Sequence, residues 1–122
     1  MIEITKAVVN TVLPEIVAEH GRDYIYYAGP SGCVYVHNGE PSCLIGHFLH
    51  RLGVSLERLK AADESTDGGT SASDLLRQLQ DEGVVDVESH RVIHALSVIQ
   101  SEQDSEVCWG QASGLGIRLL NA

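Results

Sequence analysis

Residues 3–20 carry apolar side chains at a four-residue spacing, a pattern typical of an amphipathic helix. The positions that set the spacing are Ile4, Val8, Val12 and Ile16. The pattern predicts a helix over residues 3–20 that ends at Gly21, because glycine readily adopts the left-handed conformation found at helix ends. Pro14 lies inside the pattern and is expected to kink or split the helix, since proline has no backbone N–H.

Aromatic and β-branched runs replace the helical spacing in the next segment. Residues 24–27 and 33–37 are two such runs, and residues 28–32 between them have the composition of a turn. Together they predict a small antiparallel β-hairpin near residues 24–37. All four tyrosines lie in this segment, so we expect the apolar body of the fold to meet water or a ligand there.

Capping residues and apolar spacing predict further helices in the remainder of the chain. They are expected over residues 43–52, over residues 55–60, between Ser71 and Gly83, and over residues 88–103. Residues 61–70 show no periodicity and predict a mobile acidic loop. The tail over residues 107–120 contains three glycines, which argue against one regular helix. The expected fold class is α+β: a mostly helical single domain over residues 1–122 with a small hairpin.

The acidic charge is concentrated in one part of the chain. The formal net charge of the whole chain is −9, and residues 61–110 alone contain eleven acidic residues against two arginines. An acidic protein has little attraction for nucleic-acid phosphates or anionic lipids, so we expect no direct nucleic-acid binding and no membrane association. Clustered carboxylates can instead imitate a phosphate track, which favours a protein partner with a basic surface.

The cysteines and the first residues indicate a compartment. Cys33, Cys43 and Cys108 are an odd number of cysteines, which favours reduced thiols over a disulfide framework. The start of the chain lacks the basic residues and the apolar run of a signal peptide. We therefore expect a cytoplasmic protein, and self-association through the tyrosine-rich hairpin would make it a homo-oligomer.

A cysteine and two histidines share one side of the predicted helix over residues 43–52. The apolar residues of this helix form one stripe, and Cys43, His47 and His50 fall on the opposite side together with Gly46. At a helix start the unpaired N–H groups and the macrodipole favour a thiolate, and His47 could accept the proton. With Asp104 orienting His47, this pattern predicts a cysteine-dependent enzyme acting on an acyl or thioester-like bond.

The same residues also allow a zinc site. Cys33, His37, Cys43 and His47 have a spacing similar to that of zinc fingers. Cys33 and His37 would lie about 13 Å apart along an extended strand, so they cannot both bind one tetrahedral zinc ion. A site made of Cys33, Cys43 and His47, with water or a carboxylate as the fourth ligand, is therefore the metal-binding alternative. Without zinc, no cofactor is expected, and a buried structural cysteine is the third interpretation.

Two motifs give the chain a resemblance to a known group. One is the helix start Cys43-x-x-Gly46, and the other is Gln103-Asp104 followed by Trp109-Gly110-x-Ala112. The chain resembles, over residues 24–53 and 100–112, a group of small uncharacterised proteins from actinobacteria and their bacteriophages. The resemblance implies a bacterial or phage setting in the cytoplasm and carries no activity. In physical terms, Gln103 and Asp104 could cap or hydrogen-bond the Cys43 segment.

The clustered charge favours one function over the others. We interpret the chain as a small acidic binding protein that acts on a basic protein partner, in a phage setting as a host-takeover or anti-defence protein. The cysteine-dependent enzyme that uses Cys43 and His47 is an alternative. The zinc-binding regulatory domain that uses Cys33, Cys43 and His47 is another.

Overall fold

The computed structural model describes residues 1–26, 34–65 and 70–122. Within these ranges the chain forms six α-helices and four short β-strands. In chain order the elements are β1 (Ile2–Ile4), α1 (Lys6–His20), β2 (Val36–His37), β3 (Glu40–Pro41), α2 (Leu44–Leu52), α3 (Leu56–Glu64), α4 (Ala72–Asp81), β4 (Val85–Val87), α5 (His90–Asp104) and α6 (Trp109–Leu120). The α+β class, mostly helical with a small antiparallel hairpin, is confirmed.

Helix α1 begins later than the sequence indicated, and the residues before it form a strand. Thr5 caps the helix by accepting a hydrogen bond from the Val8 N–H at 3.1 Å. Gly21 ends it as expected, with its N–H bonded to the Val17 carbonyl. The expected split at Pro14 is wrong, because α1 runs through this residue as one helix. Pro14 is exposed, so its ring faces solvent while the opposite side of the helix is buried.

The antiparallel hairpin spans residues 36–41, later in the chain than the predicted residues 24–37. Its strands are β2 and β3, and Asn38 and Gly39 join them with positive φ angles of 52° and 76°. Positive φ angles at both central residues are required by the type I′ two-residue hairpin turn, for which Asn-Gly is a preferred sequence. Residues 24–26 form no strand, and the expected turn over residues 28–32 lies outside the described residues.

A parallel pair of strands was not expected from the sequence. β1 pairs with β4 in the register Ile2 with Val85, Glu3 with Asp86, and Ile4 with Val87. The isoleucine and valine side chains face the protein interior, and Ile4 and Val85 are fully buried there. Buried apolar side chains from all six helices join them in one core cluster.

Helices α3 and α4 begin at the serine caps that the sequence indicated. The Ser55 hydroxyl accepts from the Arg58 N–H and begins α3, and the Ser71 hydroxyl accepts from the Asp74 N–H and begins α4. α3 extends to Glu64, so residues 61–64 are helical where the sequence indicated a loop. Residues 66–69 of that expected loop lie outside the described residues. None of the helices in the described ranges has the length and apolar character to span a membrane.

The glycine-containing tail is a regular helix, contrary to the sequence indication. α6 packs against α5, where a Cβ on Gly116 would overlap the Ile99 side chain and lie 2.9 Å from the Ala95 carbonyl oxygen. A Cβ on Gly110 would lie 2.7 Å from the Arg22 carbonyl oxygen. The close packing at these two glycines thus compensates for their low helix propensity, and α6 forms as a regular helix.

We predict opposite effects for alanine at two glycines of α6. Gly116→Ala should lower the free energy of unfolding by about 1–3 kcal/mol, because the added methyl group overpacks the contact with α5. Gly114→Ala is the matched control, since a Cβ there meets no atom within 4 Å. It should raise stability by about 0.5–1 kcal/mol through helix propensity. Urea unfolding of both variants measures this, and equal effects of the two would contradict the packing explanation.

Candidate functional site

Cys43 is the N-cap of α2 and not its first residue. Its Sγ accepts a hydrogen bond from the Gly46 N–H at 3.4 Å, which satisfies one N–H group of the first turn. Ser42, the residue before the cap, shares a hydrogen bond with the Tyr26 hydroxyl at 2.8 Å. The Cys43 residue is only 1% exposed. Cys43 is therefore buried, although it lies off the apolar stripe of the predicted helix.

The segment around Tyr35 covers this side of α2. Tyr35 accepts a hydrogen bond from the Ser42 N–H at 2.9 Å, and Val34 accepts one from the Cys43 N–H at 3.2 Å. A Cβ on Gly46 would overlap the Tyr35 carbonyl oxygen. The Cys43-x-x-Gly46 motif therefore has a structural explanation: the sulfur caps the helix, and the glycine leaves room for the neighbouring backbone.

Gln103 completes the helix start from α5. Its Oε1 accepts a hydrogen bond from the Leu44 N–H at 2.8 Å, and its Nε2 donates to Asp104 Oδ1 at 2.9 Å. Gln103 is 1% exposed, so the amide it satisfies has no access to water. The expectation that Gln103 hydrogen-bonds the Cys43 segment is confirmed. Asp104 is connected to this segment through the side-chain amide of Gln103.

His47 lies in a cluster of rings that the sequence pattern did not indicate. Its ring centroid is 4.6 Å from that of His20 in α1 and 5.7 Å from that of Trp109 in α6. Tyr24 completes the cluster, with its ring 4.6 Å from Trp109. His20 and Tyr24 are four positions apart, but His47 and Trp109 are each more than twenty positions from every other member of the cluster. Only the packing of α1, α2 and α6 brings them together, so no local spacing could have revealed them.

The surroundings of His47 disfavour its protonation. Burial, together with the nearby His20 and Arg51, lowers the pKa of His47 to about 4, although Glu19 opposes the shift. Arg51 itself is held by Glu19, with an Nη1 to Oε2 distance of 2.8 Å. An open cleft of about 380 Å³ begins at His47. Its lining consists of Glu40, Pro41, His47, His50 and Arg51.

The predicted catalytic residues lie on two helices. The His47 N–H donates to the Cys43 carbonyl at 3.0 Å at the start of α2, whereas Asp104 is the last residue of α5. Asp104 accepts its hydrogen bond from Gln103, and no hydrogen bond connects it to His47 within the described ranges. His47 packs against rings, while Cys43 is buried at the helix start. The catalytic role of Cys43, His47 and Asp104 stays a prediction.

The zinc hypothesis cannot be built from the described residues alone. Among them, no three His, Cys, Asp or Glu side chains are grouped to hold a metal ion. Cys33, one of the three predicted ligands, lies outside the described residues. Cys43 and His47 are both in the described part of α2 and its cap. The zinc site also stays a prediction.

Some acidic residues of the stretch over residues 61–110, the acidic window, have partners within the described part of the chain, and others do not. Asp63 accepts hydrogen bonds from the Tyr35 and Val36 N–H groups at 2.8 and 3.1 Å, and burial raises the pKa of its carboxyl. Glu82 forms an ion pair with Arg58. These two carboxylates therefore hold internal contacts of the fold, although the sequence pattern counted them with the rest of the charged window.

Other carboxylates gather at the parallel strand pair. Glu3 is the register partner of Asp86, and both are exposed on the side of the strands opposite the core. Glu88, two residues after Asp86, is also exposed. We call Glu3, Asp86 and Glu88 the acidic face. The charge pattern of the sequence does not indicate Glu3, because this residue lies far outside residues 61–110.

Comparisons of the chain with protein-family models, curated proteins and solved structures find no match.

We predict that Gln103 stabilises the start of α2. Gln103→Met should lower the free energy of unfolding by about 1–3 kcal/mol, because the buried Leu44 N–H loses its acceptor. Gln111→Met on the exposed side of α6 is the control and should change stability little. Urea unfolding followed by Trp109 fluorescence measures both variants. Equal stability of the two would show that the hydrogen bond to Leu44 contributes nothing.

We also predict a pH dependence that originates at His47. Its pKa in the folded state, about 4, lies below the ordinary value of 6.5, so the unfolded chain binds the proton more readily. The contribution of His47 to stability is therefore present above pH 6.5 and is lost as the pH falls towards 4. His47→Gln should flatten this decline in the free energy of unfolding, whereas His90→Gln, at an exposed position, should leave it unchanged. An unchanged decline in His47→Gln would contradict the assignment.

Proposed function

We propose that the chain is a small acidic binding protein whose acidic face engages a protein partner with a basic surface. The observation that carries the proposal is the parallel register, which sets Glu3 directly beside Asp86 on the exposed side of the strand pair. Neighbouring like charges at directly paired positions destabilise a sheet, so their presence has a cost in folding free energy. A lysine or arginine supplied by a partner would offset that cost.

The acidic face has no internal counter-charge. Glu3, Asp86 and Glu88 form no ion pair with any residue in the described ranges, whereas Glu19 and Glu82 each have an arginine. Exposed charges of one sign raise the association rate with a partner of opposite sign and help to select that partner. A bacterial cytoplasm, in a phage setting that of the infected host, is the setting we propose for this interaction, with a host-takeover or anti-defence role.

We favour this function over a cysteine-dependent enzyme and over a zinc domain. A nucleophilic thiol must meet its substrate, and the Cys43 side chain is almost fully buried as a helix cap. The acidic face, in contrast, is already exposed to a partner. The exposure of the acidic face and the burial of Cys43 therefore favour the binding protein over the cysteine-dependent enzyme.

The experiment compares two variants of equal net charge. One neutralises the acidic face through Glu3→Gln, Asp86→Asn and Glu88→Gln. The other neutralises three exposed carboxylates outside the acidic face through Glu15→Gln, Glu57→Gln and Glu106→Gln. Binding of a labelled peptide with alternating lysine and glycine is measured by fluorescence anisotropy at low and at high salt.

We expect the unaltered chain and the control variant to bind the peptide at low salt and to release it at high salt. The acidic-face variant should bind several-fold more weakly, because neutral amides replace the carboxylates that contact lysine. If both variants weaken equally, net charge alone determines the binding and the acidic face has no special role. If the unaltered chain does not bind, the proposed function is wrong.

A further inference from the structure

We infer that the partner binds as a third strand along the outer edge of β1. The partner segment is extended, and it carries a lysine or arginine opposite Glu3 with apolar residues on either side. This inference rests on the proposed function, because it takes the acidic face as the binding surface. It adds the backbone geometry of the complex and the sequence pattern of the partner.

The backbone hydrogen bonds of β1 leave one of its edges available. The Ile2 N–H donates to the Val84 carbonyl and the Ile4 carbonyl accepts from the Glu88 N–H, both at 3.0 Å, so these isoleucines direct their backbone groups towards β4. Successive residues of a strand direct these groups to opposite sides. Glu3 therefore points its N–H and C=O away from β4, where no group in the described ranges bonds to them.

The other edge of the strand pair is covered. On the outer side of β4, the Val87 N–H donates to Oε1 of Gln80 at 3.2 Å. This side chain from α4 occupies the position that an added strand would need. The edge of β1 has no such cover within the described residues, so an incoming strand would pair with β1.

Charge selects a basic segment over a second copy of this chain. Two copies paired through β1 would bring a Glu3 side chain near the Glu3 of the other copy, and like charges at paired positions are destabilising. A lysine or arginine at the same place would instead meet the carboxylates of Glu3 and Asp86. Charge complementarity therefore identifies the occupant as a basic strand from another protein.

The core side of β1, opposite Glu3, indicates that apolar residues flank the lysine or arginine in the sequence of the partner. Side chains of an added strand alternate between the acidic face and the side that holds Ile2 and Ile4. Ile4 is fully buried, but Ile2 is only partly buried and can take further apolar contact. The pattern expected of the partner is thus apolar, basic, apolar.

The test uses three synthetic peptides that alternate valine and lysine. The first has an ordinary backbone, the second is N-methylated at every valine, and the third is N-methylated at every lysine. A strand directs the N–H groups of alternate residues to one side, so only one of the two methylated peptides loses the donor that faces β1. The peptide with alternating lysine and glycine serves as the probe for charge alone.

We expect the ordinary valine–lysine peptide to bind, and one methylated peptide to bind about tenfold more weakly than the other. Glu3→Gln should weaken the ordinary peptide several-fold, whereas Glu57→Gln should not. If both methylated peptides and the lysine–glycine peptide bind equally well, the third strand is wrong while the proposed function stands. If no peptide binds, both are wrong. If sedimentation shows a dimer that Glu3→Gln strengthens, the occupant is a second copy and the inference is overturned.

Discussion

The N-terminal end of α2 is the contact on which three parts of the fold converge. Gln103 from α5 accepts a hydrogen bond from the Leu44 N–H, and the Cys43 sulfur accepts one from the Gly46 N–H. The segment before β2 packs against Gly46, which has no side chain to prevent this contact. Helix ends leave N–H groups without partners, and a buried end must find them elsewhere in the chain. Satisfying this end fixes α2 against α5 and against the hairpin, and so positions His47 beside α1 and α6.

Local signals in the sequence predicted most of the helices, and contacts between distant residues account for what was missed. Ser55, Ser71 and Gly21 act on their own helix ends, so their roles could be inferred from neighbouring residues. The parallel pair of β1 and β4 joins segments of three residues each, too short for a periodic pattern. α6 is regular because Gly110 and Gly116 allow close contact with neighbouring elements, and composition alone does not show such contacts.

The candidate site shows the same division. Gln103 could be connected with the Cys43 segment from motif and residue type, and the structure has that hydrogen bond. The polar side of α2 was assigned from a helical wheel, which contains no information about what covers a helix. The count of charges along the sequence was misleading in a similar way. Residues 61–110 include Asp63, which accepts hydrogen bonds from backbone N–H groups of the same chain, and they exclude Glu3. Position in space, and not number, determines which carboxylates can meet a partner.

The parallel pairing of Ile2 with Val85 has a consequence for synthesis of the chain. Because a ribosome makes the amino end first, β1 leaves it long before β4 exists, and 80 residues separate the two strands. During that interval both edges of β1 are unpaired, and Ile4, later fully buried, has no contact with β4. Pairing of such distant segments also carries a large loop-closure cost, which slows folding. The carboxylate of Glu3 then protects the nascent strand, since a charge on an unpaired edge discourages aggregation between chains.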